Sequence, residues 1–460
     1  MAFSGQAAAV AAIVYVCLLA VIYARRGRWP LYRILAGRKA CIYSISILLF
    51  LLLIFGLVPQ DGGGNGFFGA LGFRAMKRSP VFLLAILFLS TGVTLSAIDD
   101  IRHFPRHHLG ATCAHLGLAV ILITGLFGGG TTERAKIEAA MGTPVHTASD
   151  ERTGAARKLP FELTLKSFDA ESYTSGVAVA LPDGSFYETS VSVNHPAKIG
   201  SWRLYQTDYR MNAGTGEFTS VLKCVYCPLS GIYKVVLYLI LFSAAVMAFF
   251  CGARKPGERR RFLASIAVSV IFICICIFRP GVHTQDLIPA LRSPWLVPHV
   301  AAYIFAYTLM GVVTVLAIRI LILTRGKKAE AAPSQPSGDP VSGAAAPRRP
   351  IRTELRLCDT LVRIGWAFLT MGMAMGALWA KQAWGDYWTW DPKETWAAVT
   401  WLSYLLYLHL RRRGTGLDGA AVRSMRAPLY LLIFSFLLLQ MCWWGVNLLP
   451  AARALSLHTY

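Results

Sequence analysis

Seven of the twelve tryptophans fall between Trp366 and Trp401, and Trp384, Trp388, Trp390 and Trp396 share one short run. That run reads Ala383-Trp384-Gly385-Asp386-Tyr387-Trp388-Thr389-Trp390-Asp391-Pro392-Lys393-Glu394-Thr395-Trp396. Indoles at this density can anchor helix ends at a membrane surface, as an interfacial aromatic belt does. They can also cradle a large planar ligand on a flat shelf. Belts are spread over many helix ends, and concentration on one end favours the ligand platform. Trp384 and Trp388 are four apart, which places them on one face if the run is helical. Asp391-Pro392-Lys393-Glu394 reads as a capping box, with Asp391 as N-cap, Pro392 at the tolerant first position and Glu394 reaching back. Capping accounts for those three residues without any ligand.

The histidines are the second set of residues able to do chemistry. Counted from the ends of the apolar segments, four of them sort into two pairs by depth. His299 begins a helix on the side of the tryptophan run, and His458 lies beyond the last helix on that same side. His115 and His409 both lie near the opposite face. An imidazole in a membrane helix needs a partner and is a functional candidate by default. Two imidazoles at one depth, presented to a planar macrocycle, form an axial ligand set for haem iron. The alternative is that each histidine packs or hydrogen-bonds on its own, and the residues alone leave both readings open. His103, His107 and His108 read as a solvated charged loop, His146 and His195 as part of a soluble domain, and His283 as an outer-loop residue that is at most a spare ligand.

The elements that must position these side chains follow from composition. The chain has 460 residues, 55% of them hydrophobic and only 15% charged, with a mean hydropathy of +0.49. A soluble fold cannot hide that much apolar surface. Runs of the length needed to cross a bilayer occur at 7–24, 40–58, 80–98, 109–127, 232–251, 262–278, 299–318, 357–380, 394–410 and 429–446. In hydrocarbon each must be helical to satisfy its own backbone. The expected fold class is a polytopic α-helical membrane protein of about ten transmembrane helices, carrying a small mainly-β extracytoplasmic domain.

The first run lacks basic residues before it and a small-residue cleavage pattern after it, so it reads as a retained helix. Arg25, Arg26, Arg28, Arg33, Arg38 and Lys39 follow at once and place that loop in the cytoplasm. The alternation that results puts most loop lysine and arginine inside, and both termini extracytoplasmic. The formal charge of +22 then orients helices and meets anionic lipid; nucleic acid is excluded as a partner.

Residues 128–231 form the one sizeable soluble stretch. Alternation in 161–165 and 176–181, with the Pro182-Asp183-Gly184 turn leading into 185–193, predicts a small antiparallel sheet or sandwich. The Ala-, Pro- and Ser-rich segment within 324–356 reads as a cytoplasmic linker. The basic loop from Arg254 to Arg261 divides the chain into halves 1–255 and 256–460. Eight of the ten cysteines lie in or beside apolar helices. Cys224 and Cys227 stand outside, where a disulfide suits an oxidising compartment; unpaired thiols or a thiol-exchange pair are the alternatives. The chain has no Cys-x-x-Cys-His segment of its own.

These residues carry a family resemblance. The run 384–396, within the external segment 381–396, resembles the "WWD" signature of haem-handling membrane proteins. Ser293-Pro294-Trp295-Leu296-Val297-Pro298-His299 and the end of the chain around His458 resemble the two external histidine regions of the CcsA proteins of cytochrome c biogenesis System II. Tyr407-Leu408-His409 resembles the histidine of the helix after the signature. The first half is similar to the partner subunit, CcsB or ResB, in Leu159–Leu163, in Val193-Asn194-His195-Pro196 and in His115-Leu116-Gly117-Leu118. The whole resembles a compact fusion of both subunits. Three departures stand out: a short soluble domain, the unmatched helix 7–24, and Cys224 and Cys227 where an aspartate-proline-glycine turn is expected.

The resemblance implies a holocytochrome c synthase in a bacterial cytoplasmic membrane. His115 and His409 would bind haem b arriving from the inner leaflet, and His299 and His458 would ligate its iron at the outer site. Trp384, Trp388, Trp390, Trp396 and Asp391 would hold the porphyrin. The partners implied are apocytochrome c with a Cys-x-x-Cys-His segment and thiol-reducing proteins. The rival reading is a haem transporter or chaperone that forms no thioether bond. No general acid or base stands out, so no catalytic residue is expected beyond those that position haem.

Overall fold

The computed structural model describes residues 5–62, 66–103, 109–252, 289–325, 348–411 and 426–449. The helices are α1 (Gly5–Ala24), α2 (Pro30–Ala36), α3 (Arg38–Leu57), the single turn α4 (Phe67–Ala70), α5 (Pro80–Arg102), α6 (Leu109–Gly128), α7 (Ser230–Gly252), α8 (Leu296–Arg325), α9 (Arg348–Trp384), α10 (Pro392–Leu410) and α11 (Arg426–Trp443). Eight described helices are long and apolar enough to cross a membrane. The run expected at 262–278 lies outside the described residues, as do His107, His108, His283 and His458.

Helix α10 is a helix, as expected, but is not among those eight. The reason is its place in the bundle. It packs between α3, α9 and α11, and Thr395, Thr400, Ser403, Tyr404 and Tyr407 are buried on it. A helix shielded from lipid by its neighbours can carry hydroxyls that a lipid-facing helix cannot. Helix α9 overshoots the apolar run 357–380 at both ends. Its length of about 55 Å exceeds the roughly 30 Å hydrocarbon core, so the helix is longer than a single crossing needs.

Between α6 and α7 lies the β domain. Its strands are β1 (Glu133–Ala140), β2 (Pro144–Asp150), β3 (Ala156–Asp169), β4 (Thr174–Ala180), β5 (Phe186–Ser192), β6 (Ala197–Ile199), β7 (Trp202–Met211) and β8 (Phe218–Tyr226). They form one antiparallel sheet in the order β5-β4-β3-β2-β1-β8-β7-β6. The alternation expected at 161–165 and 176–181 falls in β3 and β4, and the Asp-Gly turn joins β4 to β5. The sheet folds over itself around a core that includes Ile137, Leu163, Leu165, Val179, Val191, Leu222 and Cys224. A buried polar bridge closes it. Ser175 on β4 donates to Gln206 Oε1 on β7 at 2.7 Å, and its hydroxyl lies 2.7 Å from that of Ser220 on β8. Those strands are distant in sheet order, so each hydroxyl is satisfied only when the sheet curls.

The disulfide expected between Cys224 and Cys227 is not formed; both thiols are free. Cys224 is wholly inside the sheet core, where burial pushes its thiol up. Cys227 lies past the end of β8 and accepts from Thr132 Oγ1 at 3.5 Å. A thiol enclosed in an apolar core is inert, so the pair does not form an exposed dithiol.

Candidate functional site

The tryptophan run sits where the helical bundle meets the β domain. Helix α9 ends at Trp384, and residues 385–391 are an irregular loop leading to α10. Trp384 and Trp388 therefore do not share a helical face. Nor do the rings form a flat shelf. Trp388 and Trp390 meet edge-on, centroids 5.8 Å apart at 87°, and Trp384 lies 6.1 Å from Trp379 at 50°. Trp390 turns onto Phe55 of α3 and Phe82 of α5, at 5.6 and 5.7 Å. Trp396 is buried in the bundle against Gly56, where a Cβ would stand 2.9 Å from the indole. These two rings support the loop from behind.

The capping box forms as read. Asp391 Oδ1 accepts from Lys393 N at 2.8 Å, and Glu394 Oε2 accepts from Asp391 N at 3.2 Å. Glu394 Oε2 also takes Thr389 N at 2.8 Å and Thr389 Oγ1 at 3.1 Å. That grip offsets the left-handed φ of +63° at Trp390, a conformation costing about 1–3 kcal/mol for a residue with a side chain. Lys77 Nζ donates to Thr389 O at 2.9 Å and Lys381 Nζ to Gly385 O at 2.7 Å. Asp391 thus serves the loop's shape directly.

The β domain holds the loop from the other side. Asp386 is buried, and its Oδ1 accepts from Arg134 Nε at 2.9 Å and Nη2 at 2.7 Å. Its Oδ2 accepts from Lys223 Nζ at 2.9 Å. Burial alone would push this carboxyl up, but Lys223 and Arg134 outweigh it and hold it below the usual carboxylate range. Gly385, at φ +89°, lies so close to the sheet that a Cβ would stand 2.9 Å from Tyr205 and 3.0 Å from Val225. Only glycine meets both demands. Nearby, Gln382 Nε2 donates to Asn194 O at 2.8 Å, and Trp295 Nε1 donates to Gln382 Oε1 at 3.2 Å.

His299, in the first turn of α8, points at α9. Its Nδ1 donates to Gly372 O at 2.9 Å, and its ring stands edge-on to Tyr303 and Trp379 at 4.8 and 5.8 Å. Gly376 makes the room, since a Cβ there would stand 2.8 Å from the imidazole. A proton fixed on Nδ1 leaves the lone pair of the neutral ring on Nε2, the arrangement of a metal-ligating histidine. The buried indole nitrogens of Trp379, beside His299, and of Trp388 and Trp396, on the loop and α10, have no hydrogen-bond partner among the described residues. A donor in that condition costs free energy until a ligand supplies an acceptor.

His115 and His409 lie at the far end of the bundle. His115 Nδ1 is 2.7 Å from Asp100 Oδ2, and His409 Nδ1 donates to Leu405 O at 2.9 Å. The two imidazoles are within electrostatic reach of one another. Arg38 caps the end of α10 through His409 O and Leu410 O, and Arg411 and Tyr407 both bind Asp359. His103, His146 and His195 are exposed. Sequence reasoning missed Asp386, Arg134, Lys223, Gln382 and Asp100. Only Asp386, a lone acid between aromatics, carried a local signal.

Comparison with known proteins divides the chain near residue 228. Residues 106–226 match the ResB-like family and residues 229–452 the Cytochrome C assembly protein family. The second match takes in α7, a helix that the sequence reading placed in the first half. The cytochrome c biogenesis protein CcsA of Guillardia theta is 32% identical over 253 residues, covering 51% of this chain and 77% of that protein. CcsA of Prochlorococcus marinus strain MIT 9312 is 34% identical over 250 residues, covering 51% and 75%.

The chain belongs to the CcsA family. Its CcsA-like half follows a ResB-like domain, the order of a System II fusion. Asp386 belongs to the CcsA-like half and its two cations to the ResB-like domain. The ion cluster is therefore a joint between what are two matched families. Relatives such as CcsA of Synechococcus elongatus, 30% identical over 276 residues, correspond to about half of this chain.

Proposed function

We propose that the chain is a holocytochrome c synthase: it presents haem b at the tryptophan loop and joins it to apocytochrome c. The observation that carries this reading is the orientation of His299, its ring 5.8 Å from that of Trp379, whose buried indole nitrogen has no hydrogen-bond partner among the described residues. Family membership supports cytochrome c biogenesis as the setting. On this reading His299 and His458 ligate the iron, Trp384 and Trp388 contact the porphyrin, and Trp390, Asp391 and Trp396 hold the loop that presents it. His115 and His409 form the loading site at the far end, which is the cytoplasmic side. The protein is a multi-pass protein of the bacterial cytoplasmic membrane, with both termini extracytoplasmic.

The reaction is addition of a thiol across each vinyl group. The S–H bond breaks, sulfur bonds to the vinyl carbon next to the ring, and the hydrogen ends on the terminal carbon. Electrons balance without an oxidant, provided the substrate's Cys-x-x-Cys thiols arrive reduced by a partner. The protein's contribution is orientation, which turns a meeting of haem and two thiols into a positioned reaction.

Purified protein incubated with haem and an apocytochrome peptide bearing Cys-x-x-Cys-His tests this. Haem that stays with the peptide after denaturation is expected. Haem recovered only in free form defeats the synthase reading and leaves a transporter or chaperone.

A further inference from the structure

The three histidines described at the candidate sites are oriented by unlike partners. His299 and His409 give their Nδ1 protons to the backbone carbonyls of Gly372 and Leu405, at 2.9 Å each. His115 alone faces a carboxylate, Asp100 Oδ2 at 2.7 Å, across the α5–α6 contact. Its neighbour Asp99 is occupied separately, accepting from Tyr23 Oη at 2.9 Å. Asp100 lies in the last turn of α5, where the carbonyl end of the helix dipole disfavours a negative charge. An acid in that place calls for a compensating partner, and His115 supplies one.

We propose that Asp100 is a positioning residue for haem iron at the far-end site. It would hold His115 in the tautomer that leaves the Nε2 lone pair for the metal, and would make that imidazole a stronger donor than one oriented by a backbone carbonyl. The inference rests on the reading of His115 as an iron ligand. A carboxylate accepting from Nδ1–H shifts electron density onto the ring and raises its basicity as a ligand. A more basic axial ligand stabilises ferric over ferrous iron.

The test uses the full-length protein in detergent with His299→Ala as background, so that retained haem reports the far-end site. Spectroelectrochemical titration of Asp100→Asn is expected to raise the reduction potential by about 59 mV, equal to a tenfold fall in the ferric-to-ferrous ratio. Asp100→Glu keeps a carboxylate and is expected to stay near the parent. His115→Ala in the same background is expected to lose the haem. If His115→Ala retains haem unchanged, the ligand assignment itself fails. If His115→Ala loses haem while both Asp100 variants titrate like the parent, the ligand stands and the role of Asp100 is refuted.

Discussion

Asp386 shows how one side chain can join two halves of a chain. Replacing it with Asn leaves Arg134 and Lys223 side by side without their shared anion. Breaking a fully buried pair from one side costs about 3–5 kcal/mol; Arg134 keeps 36% of its side chain exposed, so the lower end applies. The expected outcome for Asp386→Asn is faster hydrogen exchange across 385–391, with the helices unchanged. The pH dependence has a definite sign. A carboxyl whose value in the folded protein lies below its ordinary 3.8 contributes fully above that range and is lost as pH falls through the lowered value. Exchange in the loop should therefore stay slow down to about pH 4 and quicken below it, whereas Asp386→Asn should show no such step. The capping box at Asp391 was legible in the sequence because all its atoms lie within one turn. The partners of Asp386 were not, since they stand 163 and 252 residues away and nothing local encodes that distance.

The loop 385–391 works as an element because its two ends are held by different devices. Gly385 meets the sheet at its start and Glu394 gathers three donors near its end. Gly385→Ala would carry the αL penalty of about 1–2 kcal/mol together with a clash against Tyr205. It is expected to weaken haem retention at the loop by about tenfold, read as haem per protein after purification, without loss of the helical signal in circular dichroism. The helices were legible from hydropathy, and β4 and β5 from alternation around an Asp-Gly turn. Their ends were not, because a helix such as α9 continues past the apolar run that marks it in the sequence. The pairing of β1 with β8, Arg134 opposite Val225, was also illegible. Period-two alternation says which face a residue takes, but not which distant strand lies beside it. The flat shelf expected of the tryptophans failed for a related reason: Gly385 breaks the helix, and ring orientation is then set by Phe55, Phe82 and the cap.

At the scale of the molecule, the chain places imidazoles at both ends of one helical bundle. His115 stands roughly 20 Å along α6 from the β-domain end, at 1.5 Å per residue. The ResB-like domain holds the loop of the CcsA-like half at one end, and α5 and α6 present His115 at the other. If haem passes between these sites, substitutions at the two ends should have different signatures. His409→Ala is expected to lower haem loading at both sites. His299→Ala is expected to leave haem at the far end and to lose only the portion held at the loop, as measured by haem content and ligand-field bands.

The most direct measurement is the absorbance spectrum of the detergent-purified chain from haem-replete cells. A Soret band is predicted, reduced in His299→Ala and partly restored by added imidazole. A colourless protein that takes up no haem when offered it would contradict the account.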